Sequence, residues 1–139
     1  HTTNKVSRVV ESRGALSGSI IANGTQTSTI FVNTPIQDIP PFSVIEIELV
    51  VVGCTSDVTG SFSAKKSALF TVANYGTVTM IAEDASTIVH QSAAGIMPST
   101  TTGISFSVVS GQISATLTRG TTTGTFNFSS IATATIKTF

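Results

Sequence analysis

An all-β chain is predicted, specifically an antiparallel β-sandwich of jelly-roll type with about eight to ten short strands, and three observations predict it. Apolar residues recur with period two in almost every segment, and β-branched residues dominate them. No stretch carries the i, i+3, i+4, i+7 rhythm of an amphipathic helix for more than a turn. Turn signals punctuate the chain every ten or so residues, which favours a sandwich over a closed barrel.

The elements follow in order. Residues 1–14 hold a Val6, Val9, Val10 cluster among several cations, and read as an edge strand or as an arm from a preceding domain. Asn23-Gly24 lies between two strand-like runs, and both residues accept a positive φ cheaply, so a tight hairpin is expected there. Pro35, Pro40 and Pro41 lack ladder donors, which makes residues 34–42 a crossing loop or an edge, with a long strand starting near Phe42. The runs SFSAKKSALFTV and TVTMIAE should pair antiparallel through a turn at residues 73–76. Residues 84–103 read as a surface excursion with a short strand at Thr87 to His90. A second hairpin is centred on Ser110-Gly111, and one or two alternating strands close the chain.

At 139 residues the chain fits one domain, 1–139. Only 10% of it is charged, with Ser and Thr filling the deficit, so the surface is mostly hydroxyl. Seven basic residues balance seven acidic ones and are scattered, so no basic stripe is available for nucleic acid. A net charge of zero removes self-repulsion and is compatible with surface buried in an assembly. The single cysteine, Cys54, excludes an intrachain disulfide and a cysteine zinc site, and reads as a small hydrophobe. No apolar run approaches the ~18 residues of a helical membrane span, so membrane insertion is not expected.

The stretch VIEIELVVVGC, residues 44–54, carries most of the functional information. Glu46 and Glu48 would share one strand face about 7 Å apart, within the separation used by inverting glycosidases. Neighbours on one strand, however, flank no scissile bond, so an enzyme is not expected and the glutamates are assigned to solvent or to a cross-strand Lys65 or Lys66. From Leu49 the alternation ceases. Leu49, Val50, Val51 and Val52 would be apolar on both faces, which requires a second cover, and a neighbouring subunit is the preferred one.

His1 and His90 are the only histidines; a copper site between them is not favoured, and neither a metal nor a cofactor is expected. A ligand site, if one forms at a loop-rich edge, would draw on Asn74, Tyr75, Asp84, His90 and Gln91, a polar set with the only tyrosine.

The segments GSFSAKKSALFTVANYGTVTMIAED and ISFSVVSGQISATLTRGTTTGTFNFSSIATATI, following a Pro-containing lead into a long strand, resemble the C-terminal β-sandwich of bacteriophage tail fibres and tailspikes. The resemblance spans roughly residues 43–139 and rests on rhythm and small-residue usage. It implies a homotrimer at the tip of a virion's tail fibre, holding three chains together and contacting a host cell-surface glycan. It carries no common catalytic set. A monomeric carbohydrate-binding module or lectin is the alternative.

Overall fold

The computed structural model describes residues 5–31, 39–56, 58–75, 77–93, 95–97, 103–120 and 124–139. Among the described residues ten strands run in chain order: β1 (Ser7–Arg13), β2 (Gly18–Ile20), β3 (Thr25–Thr29), β4 (Ser43–Cys54), β5 (Ser61–Asn74), β6 (Thr77–Glu83), β7 (Ile88–Gln91), β8 (Ile104–Val109), β9 (Gln112–Thr118) and β10 (Phe126–Thr138). They form two antiparallel sheets, an all-β sandwich as the alternation demands. The division is unequal. The larger sheet takes seven strands in the order β1-β10-β4-β5-β6, with β2 added on β10 and β7 on β5, whereas the smaller holds only β3-β9-β8.

Three strands are long, β4 as expected of the run that starts near Phe42, and β5 and β10 beyond the short strands expected elsewhere. β4, β5 and β10 have 12, 14 and 13 residues, so the large sheet is about 45 Å long at ~3.3 Å per residue. Their inward positions supply most of the core: Ile45, Ile47, Leu49 and Val51 on β4, Phe62, Ala64, Ala68, Phe70 and Val72 on β5, and Phe126, Phe128, Ala132, Ala134 and Ile136 on β10. The small sheet answers with Ile104, Phe106, Ile113, Ala115 and Leu117. Phe70 meets Phe106 edge to face across the layers, with ring centroids 6.2 Å apart.

Two turns deserve comparison with expectation. At Ser110-Gly111 both residues have positive φ, 51° and 76°, and join β8 to β9 as a tight hairpin. Asn23 likewise has φ 58° and turns tightly, with Gly24 N donating to Ile21 O at 3.0 Å. Yet no hairpin results. β2 pairs with β10 in the large sheet and β3 with β9 in the small one, so this turn carries the chain between layers. An Asn-Gly pair specifies local φ, and the partners of the flanking strands are chosen by the core.

The other crossings behave similarly. Ile39 and Pro40 are buried just before β4, and this lead connects the small sheet to the large one; Pro35 and the rest of residues 32–38 lie outside the described residues. Residues 84–103 contain β7 as expected, but Ile96 and Met97 are fully buried, so this segment is in part an insertion into the core. β1 is an edge strand, in register with β10 from Ser7–Lys137 to Arg13–Ile131.

The crossings are knotted together at Arg119-Gly120. Arg119 N donates to Gly24 O, Asn23 N to Gly120 O, and Gly120 N to Ile96 O, all at 2.9 Å. The buried Arg119 guanidinium donates to Ile20 O at 3.0 Å and to Gly124 O, and lies 4.1 Å over the Phe126 ring. Burial lowers its pKa from the ordinary arginine value. A Cβ on Gly120 would be driven into the Gly95 carbonyl oxygen, which is backbone and cannot swing away. Gly120→Ala is therefore expected to lower stability by about 3 kcal/mol, measured by urea denaturation.

The outer edge of β8 is closed by side chains. Thr87 Oγ1 accepts from Ile104 N at 3.0 Å and Glu83 Oε2 from Phe106 N at 3.2 Å. Glu83 Oε2 also lies 3.6 Å from the buried Lys66 ammonium. Donors that would otherwise template another strand are thus satisfied within the chain.

Candidate functional site

The registers of β1, β10, β4, β5 and β7 place every outward side chain of the large sheet on a grid. One row reads Arg13, Ile131, Val50, Lys65, Ile88, and the row beside it Ser129, Val52, Ser63, His90. Ile131 and Val50 are directly opposed, and the exposures of Val52, Ile131 and Ile88 are 54%, 46% and 54%. The small sheet packs on the opposite face, so no described residue of the chain covers this apolar patch.

The four residues expected at a subunit interface therefore divide. Leu49 and Val51 point inward and are completely buried in the chain's own core, so they offer nothing to a neighbour. Val50 and Val52 point outward. Strand alternation persists through the apolar run, and what changes at Leu49 is the chemistry of the outward positions. Ile131 was missed, although its signal was present: Phe126, Phe128, Ser130, Ala132, Ala134 and Ile136 all face inward, which leaves Ile131 as an apolar residue in an outward slot.

Glu46 and Glu48 occupy the next part of the same face. They border a cavity of ≈ 240 Å³ with Ser67, Thr133 and Thr135. Glu48 Oε2 meets Lys65 Nζ at 3.2 Å, whereas Lys66 faces the core side and meets Glu83. The two carboxylates stand side by side on one strand, a geometry suited to surface charge and unsuited to flanking a bond.

The five candidate ligand residues do not converge. β7 pairs with the first part of β5, which puts His90 opposite Ser63 and Gln91 opposite Phe62. Asp84 sits at the junction of β6 and β7, where its Oδ2 accepts from Ser67 N at 3.1 Å. Asn74 and Tyr75 lie at the far end of β5, eleven residues from Ser63, or about 36 Å along the strand. The expectation of one edge fails because β6 and β7 pair with the same long strand at different heights. Two of the five also have structural partners, since Gln91 Oε1 accepts from Met97 N at 2.9 Å.

Two separate regions remain. His90 and Gln91 line an open cleft of ≈ 410 Å³ with Ser61, Phe62, Ser63 and Ser92, a hydroxyl-rich surface beside the apolar patch. At the opposite end of the sheet, Asn74 and Tyr75 follow Val72, the partner of Ser43, and so share that end with Phe42 and Phe139, neither of which sequence reasoning selected. His1 lies outside the described residues.

Comparison with known proteins returns no matching family model and no matching curated protein. Among solved structures, the tailspike protein of Acinetobacter baumannii phage AM24 is 14% identical, with a TM-score of 0.54 over 94% of this chain and 26% of that one. The tailspike protein of Acinetobacter phage vB_ApiP_P1 is 21% identical over 95% of this chain and 22% of that one, with a TM-score of 0.36. The chain thus spans about a quarter of the length of these tailspikes. At such identities the likeness is one of fold, and only the first is close enough to speak for it: the β-sandwich resembles a segment of a phage tailspike.

Proposed function

We propose that the chain is a non-catalytic module of a phage tail fibre or tailspike, located at the fibre tip, which joins three copies into a homotrimer and contacts a host surface glycan. The observation that carries this reading is the apolar patch of Val50, Val52 and Ile131 on the outer face of the large sheet, which no described residue covers. A sheet face turned to water ordinarily carries polar residues, and a contiguous apolar area marks a contact surface. The fold shared with a tailspike segment supports the phage setting. Zero net charge places no long-range repulsion between copies.

Size-exclusion chromatography with light scattering tests the assembly. The expected mass is about 43 kDa, three times the 14.3 kDa chain. A mass of one chain would favour the monomeric carbohydrate-binding module or lectin. For the absence of catalysis, Glu46→Gln combined with Glu48→Gln should leave assembly and glycan contact unchanged within about 0.5 kcal/mol of stability. Loss of a glycan-cleaving activity in that variant would contradict the reading.

A further inference from the structure

The end of the large sheet where β4 begins and β5 and β10 finish exposes three aromatic rings: Phe42 at 74%, Phe139 at 68% and Tyr75 at 60%. Phe42 has φ 65°, a conformation that bulky side chains rarely adopt. The sheet holds it there, with Phe42 N donating to Val72 O at 2.9 Å and Phe139 N donating to Phe42 O at 3.1 Å. The strained backbone turns the ring to solvent, where burial would be the ordinary outcome for an aromatic side chain.

Among the described residues, the charged side chains at this end are basic. Ser7 is opposite Lys137, and Thr138 N donates to Val6 O at 2.8 Å, so the register carried one step on sets Lys5 beside Phe139 and Phe139 beside Phe42. Lys137 lies in the adjoining row on the same face, its ammonium 3.4 Å from Ser7 Oγ, and Arg8 is exposed on the same edge strand. Among the described residues none of these three cations has a carboxylate within ion-pair distance. On this face the β4 carboxylate nearest in sequence, Glu46, stands four strand positions from Phe42, about 13 Å away.

We infer that this end binds an acidic polysaccharide, whose sugar rings lie on Phe42, Tyr75 and Phe139 while its carboxylates or phosphates meet Lys5 and Lys137. Aromatic faces take up the apolar faces of pyranose rings, Asn74 and the surrounding hydroxyls take up their hydroxyl groups, and the two ammonium groups select for negative charge. Three cations are too few for a nucleic-acid track, which favours the saccharide. The inference rests on the glycan contact proposed above and specifies its place and charge.

Tyr75 is the only tyrosine and the chain has no tryptophan, so its emission reports on this end alone. Sodium alginate, a polyuronate, serves as the probe, with dextran as a neutral polysaccharide and a single-stranded thymidine oligonucleotide as controls. The expected result is a saturable change in Tyr75 emission with alginate, at least about tenfold weaker with dextran and roughly tenfold weaker as salt rises from about 50 to 200 mM. Phe42→Gly, which keeps the positive φ, and the Lys5→Gln, Lys137→Gln pair should each abolish it. No response to alginate, unchanged binding in these variants, or binding of the oligonucleotide in its place would overturn the assignment. An equal response to dextran would overturn the acidic specificity while leaving the glycan contact intact, and light scattering on the same samples reports the trimer separately.

Discussion

Aspartate at both Val52 and Ile131 is expected to leave the sandwich folded and reduce the assembly to single chains. Both side chains project from the outer face of the large sheet, on adjacent strands and in neighbouring rows. In an isolated chain they meet water, where a substitution to a charged residue ordinarily changes stability by less than about 0.5 kcal/mol. Against another copy the same carboxylates would be desolvated without partners, at a cost of several kcal/mol each. The effect should multiply around a threefold axis. Light scattering should give a mass close to 14.3 kDa for the variant, and circular dichroism should give an unchanged β spectrum. The control is Val51→Asp, one position away and fully buried, which should prevent folding altogether.

The second large effect is at Arg119. Arg119→Ala is expected to lower stability by about 4 kcal/mol, because two charge-assisted hydrogen bonds and a cation-π contact disappear together. The residue joins β2, through Ile20 O, to the crossing at Gly124 and to the first ring of β10, Phe126. Its loss would leave the buried Ile20 carbonyl without that donor, and a domain of this size holds only about 5–15 kcal/mol in all. Thermal unfolding should fall by roughly 10 °C. Arg119→Lys should recover part of that loss, since an ammonium keeps the charge but gives up the planar fork and the stacking.

How far the sequence reaches is clearest at these positions. The period-two pattern sufficed for strand existence and for the β8-β9 hairpin, because each is governed by local backbone chemistry or by one alternating face, while of the two readings left open for residues 1–14 the structure shows the edge strand, Ser7–Arg13. It could not assign Asn23-Gly24 to a crossing between layers, since the partners of β2 and β3 are more than eighty residues away. Ile96 and Met97 looked like part of a loop because nothing in a short irregular segment announces which side chains enter a core. Arg119 was unreadable for a related reason, as arginine is rarely buried and the acceptors described for it, Ile20 O and Gly124 O, are backbone carbonyls that sequence does not mark.

For the proposed contact surface, half of the residues expected at an interface prove to be core: Leu49 and Val51 are buried within the chain. An unbroken run from Leu49 to Val52 suggested burial on both faces, but β4 keeps its alternation, with Leu49 and Val51 inside and Val50 and Val52 outside. The neighbour that completes the patch comes from β10, and only the register brings Ile131 beside Val50 on β4, while Ile88 lies one strand further out, beyond Lys65. Similarly, Tyr75 was selected for its chemistry alone. Phe42 joined it only once its positive φ and its hydrogen bonds to Val72 and Phe139 were known.

The central claim is that the outer face of the large sheet is covered by another copy of the chain, and thiol labelling in the assembled protein tests it most directly. With Cys54→Ser removing the native thiol, a cysteine is placed by Val52→Cys on the patch or by Val58→Cys on an exposed loop at the same end of β4. The account predicts that the patch thiol reacts with a soluble disulfide reagent at least about tenfold more slowly than the loop thiol, because reaction requires access. Equal rates in the two variants would mean that the face stays open to water, and would contradict the account.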